Sequence, residues 1–115
     1  MTTTTNRTTI PISTSTTERP FALCLGGNLG PVAAHFAFAL RALESVLGPL
    51  TRAGLFRTPA LLAPGSPPQP DYWNTAVIGM SRLEPGAVLA IAKRIERACG
   101  RVPGPRWASR PLDID

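Results

Sequence analysis

In the run RPLDID, Asp113 and Asp115 stand two positions apart. On an extended segment residues i and i+2 project from one face, so the two carboxylates can share cations. Upstream of them, six of the twelve basic residues fall within eighteen positions: Lys93, Arg94, Arg97, Arg101, Arg106 and Arg110. Cations that grip phosphate oxygens beside acids that hold metal ions are the parts phosphoryl transfer requires. A second candidate group pairs Thr58 and Pro59 with Tyr72 and Asn74. A carboxamide, free backbone amide and carbonyl groups and an aromatic ring together match the mixed donors and acceptors of a flat heterocycle. A third motif, GGN at 26–28, presents backbone N–H groups that suit an anion, although most glycines at such a position only make the turn. Each group also has a plain structural reading: a solvated DxD pair, and an Asn and a Tyr at a strand edge.

Elements able to position these residues follow from the apolar pattern. FALCL, from Phe21, alternates into GGNLG and predicts a strand ending in a glycine turn. Pro31 suits a helix start, Phe36, Leu40, Leu43 and Leu47 recur at helical spacing, and Gly48-Pro49 stops them. LTRAGLFRT is compatible with a strand broken at Gly54, and PALLAPGSPPQP is too rich in proline to join a sheet interior. DYWNTAVIGM predicts a strand with Tyr72, Asn74, Ala76, Ile78 and Met80 on one face and Trp73, Thr75 and Val77 on the other. A second helix opens at Glu84-Pro85, with Val88, Leu89, Ala92, Ile95 and Cys99 as its stripe and Gly100 as its stop. The resulting order, β-α-β-β-α-β with a short last strand, is the split βαβ pattern of ferredoxin-like α+β domains with a mainly antiparallel sheet.

A length of 115 residues allows one domain, expected over 20–115, behind a Thr/Ser-rich leader over 1–19 that cannot bury a face and is expected to be disordered. The leader also has the hydroxyl-rich, acid-poor character of a transit peptide. A net charge of +5 favours an anionic partner, whether nucleotide, nucleic acid or membrane surface. No stretch has the apolar length of a membrane span. An RNA-binding sheet of this order needs paired aromatics, and seven aromatics with none in such a run argue against it. Cys24 and Cys99 have no metal-ligand spacing and fit two small buried thiols in a reducing, cytoplasmic setting.

Taken together and in order, GGNLG, FRTPALL, QPDYWNTAV, IERACGR and RWASRPLDID resemble the 6-hydroxymethyl-7,8-dihydropterin pyrophosphokinase family of folate biosynthesis over Phe21 to Asp115. The resemblance implies a monomeric enzyme that transfers diphosphate from ATP to the hydroxymethyl of a reduced pterin, leaving AMP. It implies that Asp113 and Asp115 hold two Mg²⁺ ions. Thr58, Pro59, Leu61, Tyr72 and Asn74 match the pterin pocket, with Asn74 reading the ring edge and Tyr72 stacking. Lys93 and Glu96, a turn apart on a polar helix face, match ATP contacts, and Arg101, Trp107 and Arg110 match a mobile catalytic loop that clamps phosphate and excludes water. The loop departs from the family in its PGP at 103–105 and in Ala108-Ser109. Family members continue beyond the second aspartate with an apolar strand and further ATP and pterin contacts. The strand carrying the aspartates is interior in the family sheet, and the few residues of it present here are expected to fray and to hold Mg²⁺ weakly. A non-catalytic nucleotide- or partner-binding remnant and a basic RNA-binding module are the alternatives.

Overall fold

Alternation over 21–27 places Leu23 and Leu25 on one side of a strand and Ala22 and Cys24 on the other, and only the leucine side is buried. The computed structural model describes residues 14–101 and 109–115. Within them the elements run β1 (Thr14–Gly27), α1 (Val32–Leu47), β2 (Thr51–Arg52), β3 (Phe56–Thr58), β4 (Tyr72–Leu83), α2 (Pro85–Ala98) and β5 (Asp113–Ile114). This is a mixed α/β fold with an antiparallel sheet and two helices.

The long pairing of β1 with β4, from Arg19 opposite Ser81 to Gly27 opposite Trp73, is the spine of the sheet. β5 joins the other side of β1, with Leu25 opposite Ile114 and Gly26 opposite Asp113. β2 and β3 both pair with β4, at Ile78–Val77 and at Asn74–Tyr72 respectively. The break between them spans Ala53, Gly54 and Leu55, as the glycine predicts, and stays tied to β4 by Ala53 N–H donating to the Ala76 carbonyl at 2.8 Å.

Both helices cover one face. Phe36, Ala39, Leu43 and Leu47 of α1 and Val88, Ile91, Ala92 and Ile95 of α2 pack with Leu23, Leu25, Val77, Leu112 and Ile114 into a single core. Each such side chain contributes about 1.5–3 kcal/mol on leaving water, so these two stripes fix where the helices sit. The α1 stripe is close to expectation, with Ala39 fully buried and Leu40 only partly. In α2 the expected Leu89 is 53% exposed and Ile91 takes its place. Positions 88, 91, 92 and 95 lie on one helical face, and 89 is a step off it. Both helices end on glycines with positive φ, Gly48 and Gly100, where a residue without Cβ adopts the left-handed turn.

Three expectations change. Among the described residues the first strand already runs from Thr14, ahead of the expected start near Phe21, because β4 extends to Leu83 and pairs with Thr14; residues 1–13 of the expected leader lie outside the described residues. Cys24 is exposed rather than buried, because the strand alternation turns it to the uncovered face, while Cys99 is half-buried and both thiols are free. Among the described residues β5 stands at the edge of the sheet, where its few residues are expected to fray. Its end is nonetheless tied down, since Asp115 and Cys24 exchange backbone hydrogen bonds of 2.9 and 2.7 Å. No helix among the described residues is long and apolar enough to cross a membrane.

Candidate active site

The uncovered face of the sheet carries the chemistry. Ile114 points into the core, so strand alternation sends Asp113 and Asp115 to the opposite face. The same alternation brings Tyr72, Asn74 and Ala76 of β4 there, with Gly26 and Cys24 of β1 between them. These residues, with Leu25, Phe56, Thr75 and both aspartates, line a cavity of about 340 Å³. An adjoining cavity of about 270 Å³ is lined by Thr58, Pro59, Leu61, Tyr72, Asn74, Arg110 and Asp113. The heterocycle candidates and the charged candidates, separate in sequence, therefore meet at Tyr72, Asn74 and Asp113, which line both cavities.

On the heterocycle side Asn74 Nδ2 donates to Thr58 Oγ1 at 2.9 Å, which fixes the carboxamide across the β3–β4 pair. Gly26 leaves room for it: a Cβ there would stand 3.3 Å from Asn74 Oδ1. The rest of this side is open, with Leu61 70% exposed and Phe56 60% exposed. Phe56 opens the FRTPALL run without being a candidate itself, and its place opposite Asn74 in the β3–β4 register puts it in the site.

The charged side is dense. Arg101 Nη1 lies 2.8 Å from Asp113 Oδ1, and Arg110 Nη1 lies 3.1 Å from Asp113 Oδ2. Burial alone raises the Asp113 pKa, but the Arg101 hydrogen bond and the charges of Arg101, Arg110 and Lys93 outweigh it and hold the carboxyl below the usual carboxylate range. Glu96 is not on a polar face: it is 3% exposed. Its Oε2 accepts the Ile114 N–H at 2.6 Å and lies 3.1 Å from Lys93 Nζ, while Arg101 lies 3.7 Å from its Oε1. Lys93 Nζ also donates to the Ile114 carbonyl at 3.3 Å. The two α2 side chains thus satisfy both outward backbone groups of Ile114 and cover the edge of β5. A helix residue beside Ile95 reads as polar surface until β5 returns to bury it.

Asp113 and Asp115 are hard oxygen donors lining one cavity, and Mg²⁺ is commonly held by one or two carboxylates with substrate phosphates completing its shell. The pair fits that mode. Among the described residues no group of three or more His, Cys, Asp or Glu gathers that could hold a metal without such help. Trp107, expected in the catalytic loop, lies outside the described residues, as does the PGP segment.

The GGN turn is not an open anion nest. The N–H groups of Asn28 and Leu29 both donate to the Arg110 carbonyl, at 2.9 and 3.1 Å. A Cβ on Gly27 would come within 2.6 Å of the Pro111 carbonyl oxygen, so only glycine lets the segment before Asp113 pass this close.

Residues 22–115 match the family model described as 7,8-dihydro-6-hydroxymethylpterin-pyrophosphokinase. Similar proteins include a mitochondrial folate synthesis bifunctional protein of Arabidopsis thaliana, 35% identical over 94% of this chain and 19% of that protein. Two others are named 2-amino-4-hydroxy-6-hydroxymethyldihydropteridine pyrophosphokinase. The one from Synechocystis is 36% identical over 79% of this chain and 46% of its own length. The one from Methylorubrum extorquens is 37% identical over 81% and 58%. The chain thus spans about a fifth of the bifunctional relative and about half of the other two.

Proposed function

The chain belongs to the 7,8-dihydro-6-hydroxymethylpterin-pyrophosphokinase family, and from that premise we propose that it binds ATP and 6-hydroxymethyl-7,8-dihydropterin and transfers diphosphate between them. One observation carries the reading: Asn74 and Tyr72, suited to a flat heterocycle, line the same cavities as Asp113, and Arg110 joins them in the smaller one.

Asn74, held by Thr58, offers its remaining polar atoms to the ring edge, Tyr72 offers a face for stacking, and Pro59 and Leu61 wall the loop side. The pterin hydroxyl oxygen attacks the β-phosphorus of ATP, the bond from that phosphorus to the α–β bridging oxygen breaks, and AMP leaves with that oxygen. The hydroxyl proton passes to solvent or to a nearby carboxylate. Asp113 and Asp115 would hold Mg²⁺, which when bound would supply charge neutralisation on the phosphates. Arg110 and Arg101, which now grip Asp113, are equally suited to grip phosphate oxygens. Lys93 is read as a further ATP contact, and Glu96, read from the resemblance as another, is buried here against Lys93 and Arg101. Trp107 is read as part of the loop that excludes water.

We read the fold as ferredoxin-like, with β2 and β3 as two pieces of one strand. The sheet order β2-β4-β1-β5 supports this. A monomer acting in the cytoplasm is the corresponding proposal for the domain over 20–115. Exposed Ile78 and Met80 on the uncovered face favour a second reading, a non-catalytic nucleotide- or partner-binding module. Incubating the 115-residue chain with ATP, Mg²⁺ and the reduced pterin separates the two. AMP released only when both substrates are present supports the transferase. Binding of either substrate without AMP supports the second reading, and binding of neither refutes both uses of the cavity.

A further inference from the structure

We propose that Asn28 is a positioning residue that clasps the heterocycle loop to the segment carrying Arg110, so that the two halves of the site keep one fixed separation. Asn28 is 4% exposed and lines neither cavity holding Asp113. Its Nδ2 donates to Gln69 Oε1 at 3.2 Å and to the Pro70 carbonyl at 3.0 Å. Its Oδ1 accepts the Arg110 N–H at 2.9 Å, and its own N–H donates to the Arg110 carbonyl at 2.9 Å. Gln69 Oε1 also accepts from Ser109 Oγ at 3.1 Å, which closes the ring of contacts.

This arrangement binds both backbone groups of Arg110 to one residue, as a neighbouring strand would, and turns the two remaining amide hydrogens to a loop 41 and 42 positions away in sequence. Pro70 stands two residues before Tyr72, and Arg110 three residues before Asp113. The clasp therefore sets the distance between the ring face and the phosphate grip through two short, stiff tethers. Only a carboxamide of this length serves: Asp offers no donor and Ser reaches one partner fewer. Asn28 itself touches neither reacting group.

The functional part of this inference rests on the proposed transfer reaction. A loosened clasp leaves each substrate its own contacts but spoils their joint alignment, so kcat falls more than KM rises. The structural part is tested independently by amide hydrogen exchange on the full chain. In Asn28→Ser, peptides covering 66–74 and 109–113 are expected to exchange about tenfold faster together, the size of a lost hydrogen bond or two, while Leu23–Leu25 and Val77 stay protected. Faster exchange in one segment alone, or a uniform rise that includes the core, overturns the clasp. If Asn28→Ser does not fold, Gln69→Leu is the variant to read: it cuts the Ser109 link and one Asn28 bond, and a rise of about threefold in both segments is expected. No change there overturns the proposal. In the same preparations kcat is expected to fall about tenfold with KM within about threefold, and an effect on KM alone overturns the alignment role. Failure of the unaltered chain to form AMP counts against the transferase and leaves the exchange result to decide the clasp.

Discussion

The two halves of the site are built in opposite ways. Around Asp113 and Glu96, five charged side chains from α2, its following turn and the β5 region neutralise one another, half-buried or buried, within 2.8–3.7 Å. Around Thr58, Pro59 and Leu61 the surface is exposed, and the Asn74–Thr58 bond ties β3 to β4 there. The contrast has a physical reason. Charges left unpaired in a half-buried site cost more than they return, so the protein supplies a partner for each of them. An apolar wall can stay open until a ring closes it, at little cost. The charged half is therefore part of the fold's stability, and the heterocycle half is not.

The largest expected effect tests the charged half by function. Asp113→Asn removes the carboxylate shared by Arg101 and Arg110 and is expected to lower AMP formation about a thousandfold, read in a coupled assay at saturating ATP. Next is stability: Glu96→Ala leaves the Ile114 N–H, Lys93 and Arg101 without their shared acceptor and should cost about 3 kcal/mol, measured from the urea midpoint. If Glu96→Ala unfolds no more readily than the parent, the contrast between the halves collapses. On the open side, Asn74→Ala should weaken reduced-pterin binding about tenfold by fluorescence titration and leave the urea midpoint unchanged within about 0.5 kcal/mol. The smallest effect is in pH. Asp113 has a lower pKa in the folded chain than its ordinary value near 4, so its contribution is fully present above about pH 4 and is lost as pH falls through the lower folded value. Asp113→Asn should remove that part of the acid-side slope, seen in urea midpoints taken between about pH 5 and 2.

Local patterns carried most of the fold. The break at Gly54, the glycine stops of both helices and the two faces of β4 are all legible in neighbouring residue types, because each depends on backbone preference or on a period of two or 3.6. Asp113 and Asp115 were legible for the same reason, since spacing alone puts them on one face. What could not be read depends on distant returns of the chain. Glu96 is one step from a core residue and becomes buried only because β5 lays its edge against α2. Thr14 to Arg19 look like leader and become strand because β4 continues far enough to pair with them. Asn28 looks like turn punctuation, and its partners lie about 41 and 82 positions away. Thr58, Pro59, Tyr72 and Asn74 were legible from their types as a heterocycle group, Leu61 came only with the resemblance, and the structure brings all five to one cavity.

Cys24 gives the site a built-in reporter. Its free thiol is exposed on the uncovered face and lines the cavity with Tyr72, Asn74, Asp113 and Asp115, whereas Cys99 is half-buried at the end of α2 with its pKa raised by burial. A thiol-directed dye should therefore mark one position first, at the floor of the cavity and without any engineered label. The rate at which occupants slow that reaction turns cavity occupancy into an optical signal, available for ATP, pterin and metal one at a time.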